Sequence, residues 1–212
     1  MYRLTLAIVL ALNAIQARAT PVLDQAFDAR ATGNTGGFSI TGGQILYQTF
    51  TVGVEGTLDS IDLQVYQLST SPVGDLVVAL LGTSAGVPNP SNILGTANVT
   101  GTDLPGFSFT TDAFINVDVS AMNIDVDPGD ILAIRLTRSN PSDTFGWVDR
   151  DGELPNYAGG TMFRGIDTTV TPALLSDTDA GFRTYVEPIP EPTSLALLGL
   201  GVLLVARRRR SN

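Results

Sequence analysis

The sequence contains no cysteine and no histidine, and all twelve of its basic residues are arginine, so lysine is absent too. Without cysteine there are no disulfides, and the fold relies on its hydrophobic core alone. Without histidine, Ser-His-Asp and Cys-His nucleophilic sites and His-ligated zinc are excluded. A hydrolase built from carboxylates alone is the catalytic class left open. Helical periodicity is missing as well: no stretch between residues 20 and 186 keeps apolar residues at three- and four-residue spacing. There is one tryptophan in 212 residues.

What is present is unevenly placed. Six of the twelve arginines lie at the chain ends (Arg3, Arg18, Arg207, Arg208, Arg209 and Arg210), which leaves six against twenty acids in between, a net charge near −14. Such a surface repels nucleic acid and anionic lipid. It suits solubility outside a cell, or cation binding.

The C-terminal end is tripartite. Pro188, Pro190 and Pro192 alternate with Ile189 and Glu191, which predicts a stiff, exposed, polyproline-like stretch. Thr193 to Ala206 follows with no charge, then Arg207 to Arg210. Fourteen helical residues reach about 21 Å, against a hydrocarbon core of about 30 Å. The span is therefore marginal for a lasting anchor and crosses only if the arginines snorkel. The arginines mark the cytoplasmic side. A C-terminal helix packed on a globular domain would need a polar face, and Leu195 to Ala206 has none.

At the other end, Arg3 gives a positive start and Leu4 to Ile15 an apolar run. Ala17 and Ala19 are small residues at the two positions that signal peptidase reads, predicting cleavage before Thr20. Both ends imply export.

Residues 190 to 210 resemble the PEP-CTERM sorting signal of Gram-negative bacteria, with Pro190, Glu191 and Pro192 matching the motif and Arg207 to Arg210 the basic end. The resemblance implies recognition by an exosortase, a membrane-embedded enzyme that removes the tail and passes the protein to a surface acceptor, in bacteria that make an extracellular polysaccharide matrix. The expected partners are signal peptidase, exosortase, the inner membrane and extracellular polysaccharide, with no nucleic acid. The expected location is first the inner membrane, ectodomain outside the cytoplasm, then the cell surface or beyond.

Between the ends, periodicity is two. Ile61, Leu63 and Val65 alternate with polar neighbours, as do Ile115, Val117 and Val119, and Leu132, Ile134 and Leu136 alternate with Ala133 and Arg135. Such runs are half-buried antiparallel strands. Leu76 to Leu81 is continuously apolar and belongs at the centre of a sheet. Asp127-Pro128-Gly129-Asp130 predicts a type II turn entering a strand over Ile131 to Arg138. Nine or ten short strands at this spacing make an all-β fold, an antiparallel two-sheet sandwich with jelly-roll topology as the expectation. The stretches Gln48 to Gly53, Gly129 to Ala133, Phe145 to Trp147, Tyr157 to Gly160 and Gly181 to Arg183 resemble exported bacterial domains of choice-of-anchor type, which implies a jelly-roll-like sandwich and no established activity. The expected organisation is a signal peptide over 1–19, a sandwich ectodomain over 20–186, a Pro-rich linker with the motif over 187–192, a transmembrane helix over 193–206 and a cytoplasmic basic tail over 207–212.

Two acidic groups are candidate calcium sites, Asp125, Asp127 and Asp130 around the turn, and Asp149, Asp151 and Glu153 beyond it, because hard cations take several carboxylate oxygens from loops. The EF-hand pattern is absent, and acids at strand ends also simply face solvent. No other cofactor is implied. Trp147, Tyr157 and Arg164, with Phe163, form a candidate sugar platform in a Gly-rich region; the competing reading makes Trp147 the core tryptophan of a strand over Thr144 to Val148. Asp149 or Asp151 with Glu153 is the carboxylate pair a glycosidase would need. The leading expectation is a non-catalytic, surface-sorted sandwich. A carbohydrate-binding module, calcium-assisted or not, is the alternative.

Overall fold

The computed structural model describes residues 19–30, 36–108, 113–152 and 156–189. Pro21–Pro188 forms one compact unit. In chain order its strands are β1 (Val22–Phe27), β2 (Phe38–Ile40), β3 (Ile45–Thr51), β4 (Gly56–Leu63), β5 (Val65–Gln67), β6 (Asp75–Ser84), β7 (Val87–Thr100) and β8 (Ile115–Asp118). They continue as β9 (Asp125–Val126), β10 (Ile131–Arg138), β11 (Phe145–Trp147), β12 (Asp149–Asp151), β13 (Met162–Gly165), β14 (Ala173–Leu175), β15 (Thr178–Ala180) and β16 (Phe182–Pro188). The only helical elements among the described residues are two 3-10 turns, Gly101–Asp103 and Ser120–Met122. The protein is all-β, as the two-residue periodicity predicted.

All strand ladders are antiparallel. A five-stranded sheet runs β1-β16-β4-β8, with β9 also on β4, and a six-stranded sheet runs β14-β13-β3-β10-β6-β7. Two smaller sheets, β2-β11-β5 and β12-β15, complete the unit. The two large sheets share one core. Leu58, Ile61, Leu63, Val117, Phe182 and Val186 from the first meet Leu46, Phe50, Leu76, Leu80, Ile134 and Leu136 from the second. Each such side chain contributes roughly 1.5–3 kcal/mol by leaving water, and with no disulfide this burial is the main stabilising term.

Ile61, Leu63 and Val65 are buried, as are Leu132, Ile134 and Leu136, but so are Gln64, Ala133 and Arg135 between them, so these runs are not half-buried throughout as expected. The six-stranded sheet is also covered on its other face, where Ile45, Tyr47, Ala79, Leu81, Ala133 and Phe163 make a second cluster. That is why Leu76 to Leu81 needs no polar alternation. The Asp127–Asp130 turn closes with the Asp130 N–H donating to the Asp127 carbonyl at 3.0 Å. Gly129 has φ +98° there, the left-handed value that a type II turn demands of its third residue.

Among the described residues sixteen strand segments stand where nine or ten were expected, because extended runs break where the chain passes from one sheet to the next. Gln64 separates β4 from β5, Val148 separates β11 from β12, and Gly181 separates β15 from β16. These three residues bond to one another: Gln64 N–H to the Gly181 carbonyl (3.1 Å), Val148 N–H to the Gln64 carbonyl (2.8 Å) and Gly181 N–H to the Val148 carbonyl (2.9 Å). A Cβ on Gly181 would lie 1.8 Å from Gln64 Oε1, which accepts from Ala29 N at 3.0 Å, so glycine here leaves room for the buried Gln64 side chain. The junction keeps every backbone group paired while the chain changes sheet.

Candidate functional site

The sorting tail leaves the domain from an internal strand. β16 lies between β1 and β4, with Val186 opposite both Val22 and Leu58 and Pro188 opposite Gly56. The strand runs to Pro188, past the boundary expected at 186, so this proline belongs to the sheet rather than to a free polyproline stretch. Ile189 beyond it is exposed. Because β1 is antiparallel to β16, the chain enters the domain and leaves it at the same end of the same sheet. Ala19, at the expected signal-cleavage site, is the first described residue; Ala17, Pro190, Glu191, Pro192, the span over 193–206 and Arg207, Arg208, Arg209 and Arg210 lie outside the described residues. Among the described residues no helix is long and apolar enough to cross a membrane.

The expected sugar platform is not assembled. Trp147 is completely buried, and its indole N–H donates to the Gly181 carbonyl at 2.9 Å. It anchors the junction between sheets and presents no face to solvent, which settles the two readings of Trp147 in favour of the core. Tyr157 packs edge-on against Phe182 at 5.1 Å between centroids, and its hydroxyl donates to Gln25 Oε1 at 2.7 Å. Burial, helped by the nearby carboxylates of Asp24 and Asp179 and opposed by the Thr51 backbone, pushes that hydroxyl up to about 12. Arg164 is exposed on β13, and Phe163 beside it points into the second cluster.

What the sequence did not disclose is a polar knot inside the core. Gln48, fully buried on β3, donates from Nε2 to Asp179 Oδ1 at 2.8 Å, and its Oε1 accepts from Ala180 N at 2.8 Å. The other oxygen of Asp179 accepts from Tyr157 N at 3.0 Å. Burial raises the Asp179 carboxyl to about 6, against the hydrogen bonds from Gln48 and Tyr157 and the charge of Arg150. The Arg150 guanidinium lies over the Phe27 ring, 4.5 Å from its centroid. The signal for the knot was Gln48 itself, which interrupts the inward series Leu46, Gln48, Phe50 with an amide.

Among the described residues the carboxylates expected to hold calcium do not gather. No group of three metal-binding side chains occurs among the described residues. Asp125 Oδ1 accepts from Thr57 Oγ1 at 3.0 Å, while Asp130 Oδ2 accepts from the Asp127 N–H at 3.0 Å and caps the turn. Asp149 is only 2 % exposed, its main chain paired with Ala180 on β15; Glu153 and the Asp151 side chain lie outside what is described. Asp125 and Asp130 do share a groove of about 470 Å³ at one end of the large sheets, lined also by Thr83, Asn92, Met122 and Asn123.

An all-β unit whose last strand runs straight into a terminal signal is the layout of a sorted protein, with sorting and ectodomain as separable parts. The signal is identified: residues 188–210 match the PEP-CTERM protein-sorting motif, so the chain carries that motif, beginning on the last residue of β16. The match is confined to the C-terminal end and bears on sorting, not on what the ectodomain binds. No curated protein matches the chain. A structure of infectious bursal disease virus, Gt strain, is 14% identical over 91% of this chain and 48% of that one, with a TM-score of 0.30. The Gx strain structure is 13% identical over 93% and 45%, with a TM-score of 0.17. The chain spans about half the length of these structures, and at such scores the likeness carries no argument.

Proposed function

We propose that the protein is an exported, non-catalytic β-sandwich of jelly-roll type that is cut by an exosortase at its PEP-CTERM tail and becomes part of the cell envelope or extracellular matrix. The observation that carries this reading is the sorting motif beginning on β16, a strand bonded on both sides, so that the fold delivers the motif without an intervening domain. Signal peptidase acts at the other end, and the apolar span holds the precursor in the inner membrane until the tail is exchanged. The chemistry of the interior fits a structural role: buried Gln48 and Asp179 are bonded to each other and to the main chain of Ala180 and Tyr157.

The test is maturation. With Pro190 and Glu191 both replaced by alanine, the protein should accumulate as an uncleaved, membrane-held precursor in a host that has an exosortase. Normal processing and release of that variant would refute the sorting part of the reading.

A second reading, a carbohydrate-binding module, is favoured by the groove beside Asp125 and Asp130. Its amides, carboxylates and Thr83 hydroxyl over an apolar floor of Leu94, Ile124 and Leu132 suit a polyhydroxylated chain.

A further inference from the structure

The sheet edges of this domain are not treated alike. An open edge displays unpaired N–H and C=O groups, and natural proteins guard such edges by shortness, charge, proline or bulges. β1 carries Asp24, whose Oδ1 accepts from both Gly53 N and Val54 N at 2.8 Å. β8 has four residues and ends in Asp118, and β14 has three. β2 and β5 have three each, and the β12–β15 pair carries Asp149, Arg150, Asp151 and Asp179.

β7 departs from these habits over its second half. It is the edge of the six-stranded sheet, the longest strand at fourteen residues, and it contains no charged residue, in an ectodomain with twenty acids and six arginines. Its first half is guarded, by Pro88, Pro90 and register shifts opposite Leu80 and Leu81. The second half, Gly95 to Thr100, is regular and has none of these devices. Gly95, Ala97 and Val99 turn inward, where Ala97 and Val99 pack on the core, while Thr96, Asn98 and Thr100 are exposed.

We propose that the second half of β7 is a docking edge for a second copy of this chain, paired antiparallel to itself so that the six-stranded sheets of two copies become continuous. A two-fold axis at Ala97 sets Thr96 opposite Asn98 of the second copy and Asn98 opposite its Thr96, hydroxyl facing amide on the exposed face. Self-pairing is argued by charge. Two domains each near −14 repel across almost any surface, and the edge without charge is where that repulsion is weakest. The contact adds main-chain hydrogen bonds without creating a new core, so the pairing is weak and reversible. It rests on the topology and not on the proposed sorting role, and either can fail without the other.

The experiment is sedimentation of residues 20–188, which hold their own closed core, from about 0.02 to about 0.5 M salt, the upper end shrinking the screening length to a few ångströms. The dimer should tighten as salt rises. The double variant Thr96→Lys, Asn98→Lys places like charges opposite one another across the axis and should weaken it at least about tenfold. Lysines at Thr168 and Thr171, both exposed in the connection between β13 and β14 at the opposite edge of the six-stranded sheet from β7, add the same charge and should leave the dimer intact. Hydrogen exchange gives a second readout, with amides of 95–100 slowing as protein concentration rises. A monomer at all salts, a dimer indifferent to the edge lysines, or one lost equally with the control lysines would overturn the proposal.

Discussion

Asp179 makes the stability of this domain depend on pH in a direction opposite to carboxylates that a salt bridge or hydrogen bonds hold ionised. Its carboxyl is 2 % exposed, and burial raises its pKa from the model-peptide 3.8 to about 6. Between about pH 4 and pH 6 the folded chain therefore holds a proton that the unfolded chain has released, and stability falls as pH rises across that window. Below about pH 4 both states are protonated and the penalty is absent; above about pH 6 both are charged and it is complete. Two pKa units at about 1.4 kcal/mol each place the difference at about 3 kcal/mol. Asp179→Asn removes the ionisation. It keeps one oxygen for Gln48 Nε2 but sets an amide donor against the Tyr157 N–H, at a cost of about 1–3 kcal/mol that does not depend on pH. The assay is urea unfolding of both proteins from pH 4 to pH 8, read as the difference between the two curves so that the other nineteen ectodomain acids cancel. The wild-type protein should lose about 3 kcal/mol relative to the variant across the window. A difference curve that is flat, or that rises with pH, would refute the buried-charge reasoning.

Two further expectations concern packing. A Cβ on Gly160 would lie 1.9 Å from the Thr49 carbonyl oxygen, main chain of a central strand that cannot swing aside. Gly160→Ala should therefore cost about 3 kcal/mol or more, whereas Gly106→Ala, with nothing within 4 Å, should change thermal stability by less than about 0.5 kcal/mol. Trp147→Phe removes the bond to the Gly181 carbonyl and leaves a void, so urea titration should show a loss of about 2–3 kcal/mol, while Arg164→Ala on the surface should stay near zero; a neutral Trp147→Phe would restore the exposed-platform reading.

Much of the sheet structure was legible because strands obey a two-residue period wherever one face is wet. Ile131 to Arg138 coincides with β10, and the Pro-Gly turn before it closes as read. The limit came where burial is two-sided or polar. β3 shows no alternation because Leu46 and Phe50 face one core while Tyr47 faces another. Nothing local marks Gln48 and Asp179 as partners, since Gln48 bonds to groups 131 and 132 residues away in sequence. The candidate ligand residues failed for the same reason. Trp147 and Tyr157 sit in a Gly-rich stretch because close neighbours need glycine there, Gly160 against the Thr49 main chain, Gly159 against the Tyr157 hydroxyl and Gly146 against the Tyr66 ring. Glycine marked tight packing, and the sequence reading took it for a binding loop. The sorting motif was legible in full, because a short terminal signal is read locally and depends on no distant partner.

The neighbourhood of β1 and β16 has a mechanical consequence. A precursor held by both ends would be loaded at Pro21 and Pro188, which lie at one end of a two-strand ladder, so pulling would break its hydrogen bonds one after another, as a zip opens. If the N-terminal segment is removed, as the proposed route has it, a load between Pro188 and the far end of the domain runs along the seven residues of β16, flanked on both sides by β1 and β4. The bonds of both ladders are then sheared together. In the proposed route, processing at the N-terminus would thus convert a domain that peels into one that resists.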